Sequence, residues 1–165
     1  MKIWTEEEIS ELWEESIKAN GKQLFNYQGF DEFCQCENKF FTELNYHIEL
    51  RPGLILQIED NIQHEELKEW CIHCQSFPLM SKFYISGNLR TITPGIKEIS
   101  DDYIETIGRN YFMYLPNVDE IHHCFAGNHT LCIHIGIDID VFKNFSKAFE
   151  SLPTPLLGLI NSHNA

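Results

Sequence analysis

Between Thr42 and Gly53 the chain reads TELNYHIELRPG, and Leu44, Tyr46, Ile48 and Leu50 alternate with Glu43, Asn45, His47 and Glu49. A period of two sends successive side chains to opposite faces of an extended backbone, so this stretch fits a half-buried strand and not a helix. Arg51-Pro52-Gly53 has turn chemistry, and Leu54, Leu56 and Ile58 then resume the alternation. Further short strands are expected at Glu66–Ile72, Ser81–Ser86, Leu89–Thr93, Tyr111–Leu115, Ile121–Phe125 and Thr130–Ile137, with Gly87-Asn88 as a hairpin turn between two of them. Short strands at regular spacing, punctuated by Gly and Pro, fold as a β-sandwich or barrel, here over about residues 42–139.

The ends of the chain change period. Thr5-Glu6-Glu7-Glu8 has the form of a capping box, Trp4 and Ile9 stand at the positions of a hydrophobic staple, and Ile9, Leu12, Trp13 and Ile17 recur at helical spacing. A helix over 5–20 is expected, stopped by Gly21. A second is expected over about 140–150, capped by Asp140, with Val141, Phe142, Phe145, Ala148 and Phe149 as its apolar stripe and Pro153 and Pro155 beyond it. At 165 residues the whole chain, 1–165, fits one domain with one substantial core. The closing LLGLINSHNA reads as the start of a connector, as in a regulatory domain cut from a longer protein.

Acidic residues outnumber Lys and Arg by 25 to 12, for a formal net charge of -13. Such a surface repels phosphate backbones and argues against unaided contact with DNA or an anionic membrane. The N-terminus MKIWTEEEIS has no apolar signal core and no run is long enough to span a bilayer, so a cytoplasmic protein is expected. Its six cysteines are then expected as thiols or ligands and not as disulfides.

The densest chemistry lies in Glu120–His134, EIHHCFAGNHTLCIH. Folded as a hairpin around Ala126-Gly127-Asn128, it places Cys124 opposite Thr130, His122 opposite Cys132 and Glu120 opposite His134. That register gathers His122, Cys124, Cys132 and His134 on one face and buries Ile121, Phe125, Leu131 and Ile133 on the other. Imidazole nitrogen and thiolate sulfur suit Fe(II) or Zn(II). The same face is also compatible with a solvated surface or the wall of a ligand cavity. Cys71 and Cys74 have redox spacing, but the residues before them read as a strand, without the helix N-terminus that lowers a thiol pKa. They remain candidate ligands, and Cys34 and Cys36 stand too close to share one ion readily. No His-x-His or His-x-Asp occurs, nor a P-loop, nucleophile elbow or dinucleotide glycine pattern, so no enzyme is indicated.

Four segments in order, IELRPGLILQIED (48–60), FPLMSKFYISGNLR (77–90), ETIGRNYFMYLPNVDEI (105–121) and AGNHTLCIHIGID (126–138), together with ELWEE (11–15), resemble the N-terminal region of AraC-type regulators of the PchR group. The resemblance spans nearly the whole chain, and LRPGL and SGN…R are its most specific pieces. It implies a mainly β fold, a cupin-like double-stranded β-helix or barrel with an N-terminal and a C-terminal helix. It also implies two helix-turn-helix units after position 165 and a link to iron acquisition, the group's namesake responding to an iron-loaded siderophore. HHC (122–124) and CIHC (71–74) depart from what the group fixes.

The expected function is therefore effector sensing in a transcription regulator that responds to iron status or an iron-bearing ligand. The pocket would lie inside the barrel, lined by residues such as Tyr46, Phe83, Tyr111 and Met113. The expected partners are a small-molecule or metal effector (Fe or Zn) and DNA only through the C-terminal unit. A homodimer is also compatible with the chain. The rival readings are a small metal-dependent cupin enzyme and a stand-alone ligand-binding or metal-binding module.

Overall fold

In the computed structural model, which describes residues 2–20, 32–73, 78–95, 101–146 and 154, the capping box forms as expected. Thr5 N–H donates to Glu8 Oε2 at 3.0 Å, and Glu8 N–H donates to Thr5 Oγ1 at 3.3 Å. A short strand, β1 (Ile3–Thr5), leads into this cap and helix α1 (Glu6–Asn20) follows it. The remaining strands are β2 (Glu32–Glu37), β3 (Phe41–Arg51), β4 (Leu54–Gln63), β5 (Leu67–Ile72), β6 (Leu79–Ser86), β7 (Asn88–Ile92), β8 (Asp102–Thr106), β9 (Asn110–Met113), β10 (Asp119–Cys124) and β11 (His129–Ile137), and helix α2 (Ile139–Ser146) comes last. Every strand expected from the alternation is present. The structure adds β1, β2 and β8, whose three to six residues give too short a pattern to stand out.

The strands form two sheets, ordered β1-β5-β10-β7-β8 and β2-β3-β4-β11-β6-β9. All neighbours are antiparallel except β1 and β5. The two sheets face each other across an internal cavity, and the fold is mainly β, a two-sheet barrel with a helix at each end.

This arrangement corrects both expected hairpins. β6 and β7 lie in different sheets, so Gly87-Asn88 is a crossing and not a hairpin turn. Gly87 has φ +71, and a Cβ there would stand 2.5 Å from His129 O and 2.9 Å from Thr130 Cα, so the crossing chain needs the space only glycine leaves. β10 and β11 also part company: Phe125–Asn128 carries the chain from one sheet to the other. β10 pairs with β5 and β7, and β11 pairs with β4 and β6. The cross-strand pairs His122–Cys132 and Glu120–His134 therefore do not form. Ile121 does not share a face with Leu131 and Ile133, because they belong to different sheets.

The alternation is real, but its polarity is reversed from expectation. Phe33, Tyr46, Ile58, Ile133 and Phe83 are register partners across five strands, on the face turned away from the cavity. The intervening row, Asn45, Glu59, Cys132 and Tyr84, lines the cavity. A strand pattern distinguishes two faces but not inside from outside, and here the polar face turns inward.

One end of the barrel is closed by an apolar plug. Ile9 of α1 is buried with Cys36, Phe40, Phe41 and Leu67, and Trp4, Leu12, Trp13 and Cys124 pack against this group. The staple pair Trp4 and Ile9 thus joins the barrel core, with the Trp4 and Phe40 rings edge-to-face at 4.9 Å. Ser16 pins the helix to β2: its hydroxyl donates to Glu37 O at 2.7 Å and accepts from Glu37 N–H at 2.8 Å. At the other end of the chain the cap of α2 is Asp138 and not Asp140, since Asp138 Oδ1 accepts from Asp140 N–H at 2.7 Å. The expected extension of this helix to 150 and the stops at Gly21, Pro153 and Pro155 fall outside the described residues.

Candidate functional site

Period-two geometry aims one residue in two from each strand into the cavity, and the sequence has placed ionisable groups at those positions. The cavity has a volume of about 740 Å³ and takes its walls from both sheets and from Glu6, Ile9, Ser10 and Trp13 of α1. His122 and Cys124 enter from β10 in one sheet, and Cys132 and His134 enter from β11 in the other. All four expected donors therefore line the same space, but from separate walls and not as neighbours on one hairpin. Of the expected lining aromatics and Met113, none reaches the cavity. Tyr46 and Phe83 sit on the outward row. Tyr111 is held by the β8 backbone, its hydroxyl accepting from Thr106 N–H at 2.8 Å and donating to Ile104 O at 3.2 Å. Met113 pairs with Met80, which lines the cavity in its stead.

On the β10 wall, Glu69, Cys71 and His73 alternate along β5 and just past its end, opposite Glu120 and His122. His122 faces Glu69 directly across the register and reaches diagonally to Cys71, with Nδ1 3.3 Å from the Cys71 sulfur. One ligand atom from each of Glu69, Cys71 and His122 lies within 4.8 Å of the other two. Glu120 sits behind them, almost fully buried, and accepts from Thr93 Oγ1 at 2.7 Å. Its other oxygen is 3.3 Å from His73 Nε2 and 3.5 Å from His122 Nε2. Burial alone would raise the Glu120 pKa, but the imidazoles of His122 and His73 beside it and the Thr93 hydroxyl outweigh it and hold the carboxylate well below its usual range.

On the opposite wall, His134 Nε2 lies 3.0 Å from the Cys132 sulfur and 3.7 Å from Glu59. Burial lowers the His134 pKa. Next along the same sheet, Glu43 accepts from Asn61 Nδ2 at 2.9 Å and from Asn45 Nδ2 at 3.3 Å. Burial, reinforced by the charge of Glu59, raises Glu43 to about 7. A third knot bridges the sheets: the fully buried Glu105 accepts from Tyr84 OH at 2.6 Å and from Lys82 Nζ at 3.4 Å. Burial would pull Lys82 down, but Glu105, Glu120 and Glu59 together raise it, so it stays a cation. Tyr84 is pushed far above the phenol range by burial and then by Glu105.

Among the described residues Cys71, Cys124 and Cys132 are thiols, and Cys74 falls outside the described residues. Burial pushes Cys124 and Cys132 up to about 12 and, with Glu69 and Glu120 adding to it, pushes Cys71 higher still. A strand position and a raised pKa are the reverse of what a redox-active thiol needs, which argues against that reading for Cys71. Such thiols would be ionised by a metal and not by solvent. The cavity lining gathers Glu6, Glu43, Glu59 and Glu69 with Lys82, and Glu105 and Glu120 are buried beside it, so the interior suits cationic or metal-bearing contents.

Sequence reasoning missed Glu43, Glu59, Glu69, Lys82 and Glu105, because a polar residue in an alternating strand is ordinarily solvated. A usable signal was present in Glu69-Trp70-Cys71-Ile72-His73, where three ligand types recur at period two between large apolar residues.

The family model of the regulatory protein PchR N-terminal domain matches residues 42–165. No curated protein matches the chain. Among solved structures it is similar to hydroxypropylphosphonic acid epoxidase from S. wedmorenis, at 14% identity over 72% of this chain and 60% of that one, with a TM-score of 0.46. It is also similar to a putative mannose-6-phosphate isomerase from Ralstonia eutropha JMP134 (12% identity, 58% of this chain and 84% of that one, TM-score 0.45). A third likeness is to the Clostridium difficile EutQ protein (15% identity, 58% and 69%, TM-score 0.39). The chain spans 51% of the epoxidase chain solved with fosfomycin.

Proposed function

Since the chain belongs to the PchR N-terminal regulatory domain family, we propose that its barrel is the effector-sensing part of an AraC-type transcription regulator and not an enzyme. The observation that carries this reading is the internal cavity with ionisable groups in its walls, whose volume of about 740 Å³ falls within the range that encloses a small-molecule ligand. Its acidic lining and its imidazole and thiol groups favour an iron-bearing ligand or the iron itself, so the domain responds to iron status. His122, Cys124, Cys132 and His134 are the proposed metal-facing residues, reaching an iron-bearing effector from two sides of the cavity. The helix α1, which contributes Trp13 to the same cavity, is the element that occupancy would move. DNA contact would come from helix-turn-helix units encoded after Ala165, and the reading frame beyond that codon tests this part directly.

The test of the sensing role is a titration of the purified chain with ferric phenolate, catecholate and hydroxamate siderophores, their iron-free forms, and Fe(II) under anaerobic conditions. Tryptophan fluorescence reports it through Trp13. Saturable quenching by one iron-loaded ligand, weakened about tenfold or more in a His134→Ala, Cys132→Ala double variant, supports the reading, since about 1.4 kcal/mol of lost contact gives that factor. No saturable response to any of them refutes it.

A further inference from the structure

We propose that Glu69, Cys71 and His122 form a binding site for one divalent transition-metal ion on the β10 wall of the cavity, with its open coordination positions turned toward the cavity. The residues arrive there by sheet geometry alone. Glu69 and Cys71 are two apart on β5 and so share a face, and the β5–β10 register puts His122 directly opposite Glu69. One ligand atom from each of the three lies within 4.8 Å of the other two.

The donor spacing is close to that of a formed site. A tetrahedral ion with a thiolate at about 2.3 Å and an imidazole nitrogen at about 2.0 Å holds those two atoms roughly 3.5 Å apart. Cys71 Sγ and His122 Nδ1 already stand 3.3 Å apart, joined without the ion by a hydrogen bond. Behind the imidazole stands a buried carboxylate of the kind that supports metal-bound histidines, and His122 Nε2 is a buried nitrogen with no hydrogen-bond partner of its own. With Nδ1 turned to Cys71, Nε2 faces Glu120 Oε2 at 3.5 Å, and Thr93 fixes the other oxygen of that carboxylate at 2.7 Å. A hydrogen on Nε2, drawn by this carboxylate, leaves the Nδ1 lone pair free for an ion. One carboxylate oxygen, one thiolate and one imidazole make a mixed donor set that suits Zn(II) or Fe(II) better than the hard ions Ca(II) or Mg(II). Three protein donors leave at least one position for a ligand in the cavity.

On the facing wall Cys132 and His134 form a second sulfur–nitrogen pair, 3.0 Å apart, with Glu59 at 3.7 Å. The three-donor group that converges among the described residues is the β10 one, so it is the stronger ion site. The inference deepens the sensing role proposed above by giving the cavity a resident ion to which an effector can bind. The two fail separately: a chain that takes up no ion but still binds an effector overturns the ion site alone.

The test uses the full chain, stripped with a chelator and titrated anaerobically with Co(II), followed by competition with Zn(II), Fe(II) and Mg(II). The expected result is one Co(II) per chain, a thiolate-to-cobalt charge-transfer band in the near ultraviolet, and displacement by Zn(II) but not by Mg(II). Cys71→Ser should abolish the band and Cys34→Ser should keep it. Glu120→Gln, which touches no ligand position, should weaken binding by about 10- to 100-fold through the imidazole it orients. A far-UV spectrum verifies each fold, and where Cys71→Ser unfolds, the near-isosteric Glu69→Gln takes its place, with loss of affinity expected. Absence of stoichiometric binding, a band that survives Cys71→Ser, or unchanged affinity in Glu69→Gln overturns the site.

Discussion

Replacing Glu43 with Gln should stabilise the protein above neutral pH and leave it almost unchanged in acid. Glu43 sits in the cavity wall, held by the two amide donors of Asn45 and Asn61, and burial together with Glu59 raises its pKa from 4.5 to about 7. A carboxyl whose folded pKa lies above its unfolded value binds more protons when folded. Its contribution to stability is fully present below about pH 4.5 and is lost as pH rises through about 7. At about 1.4 kcal/mol per pH unit, that interval sets a ceiling of about 3 kcal/mol on the cost of ionising Glu43 in the folded state. Gln imitates the protonated acid in shape and charge and removes this loss. The cost of turning one Asn amide away from its new NH₂ group is shared by the protonated acid, so it largely cancels. Urea denaturation of both forms at intervals from about pH 5 to 8 measures the difference. The curves should meet near pH 5 and separate by about 1–3 kcal/mol at pH 8, with the variant more stable. Parallel curves, or a variant weaker than wild type at pH 8, would refute the assignment of Glu43 as an acid held neutral by its surroundings.

Two other substitutions probe the architecture. Gly87→Ala adds a Cβ 2.5 Å from the His129 carbonyl at φ +71, whereas Gly127→Ala meets nothing within 4 Å at φ +77. Both carry the left-handed strain, but thermal melts should show Gly87→Ala lower by a further 5 °C or so, equivalent to about 2 kcal/mol in a chain of this size. Equal melting points would mean that the crossing between sheets is looser than described. Glu105→Ala should cost about 3–5 kcal/mol in chemical denaturation by leaving the buried Lys82 without its nearest anion, and adding Lys82→Met should recover part of that loss. A double variant no more stable than Glu105→Ala would show that Lys82 is not the source of the penalty.

The sequence by itself determined the longer strands and the cap of α1. Thr5 and Glu8 had to cap α1 because the reciprocal bonds are local, and Leu44–Leu50 had to be a strand because nothing else satisfies a period of two. These are decisions made within a few residues, where propensity and side-chain direction suffice. The sheet partners were another matter. Nothing local to Phe125–Asn128 says whether β11 returns beside β10 or crosses to the facing sheet, since a short loop permits both. That choice depends on β4 and β6 being available to β11, at positions far away in the chain. The same holds for which face is inside: alternation separated Tyr46 and Ile58 from Asn45 and Glu59, but only closure of two sheets around a cavity turned the ionisable set inward. His122, Cys124, Cys132 and His134 were therefore legible as chemistry and not as geometry. The grouping of His122 with Glu69 and Cys71 required a register between strands some fifty residues apart, which long-range pairing sets and short-range pattern cannot.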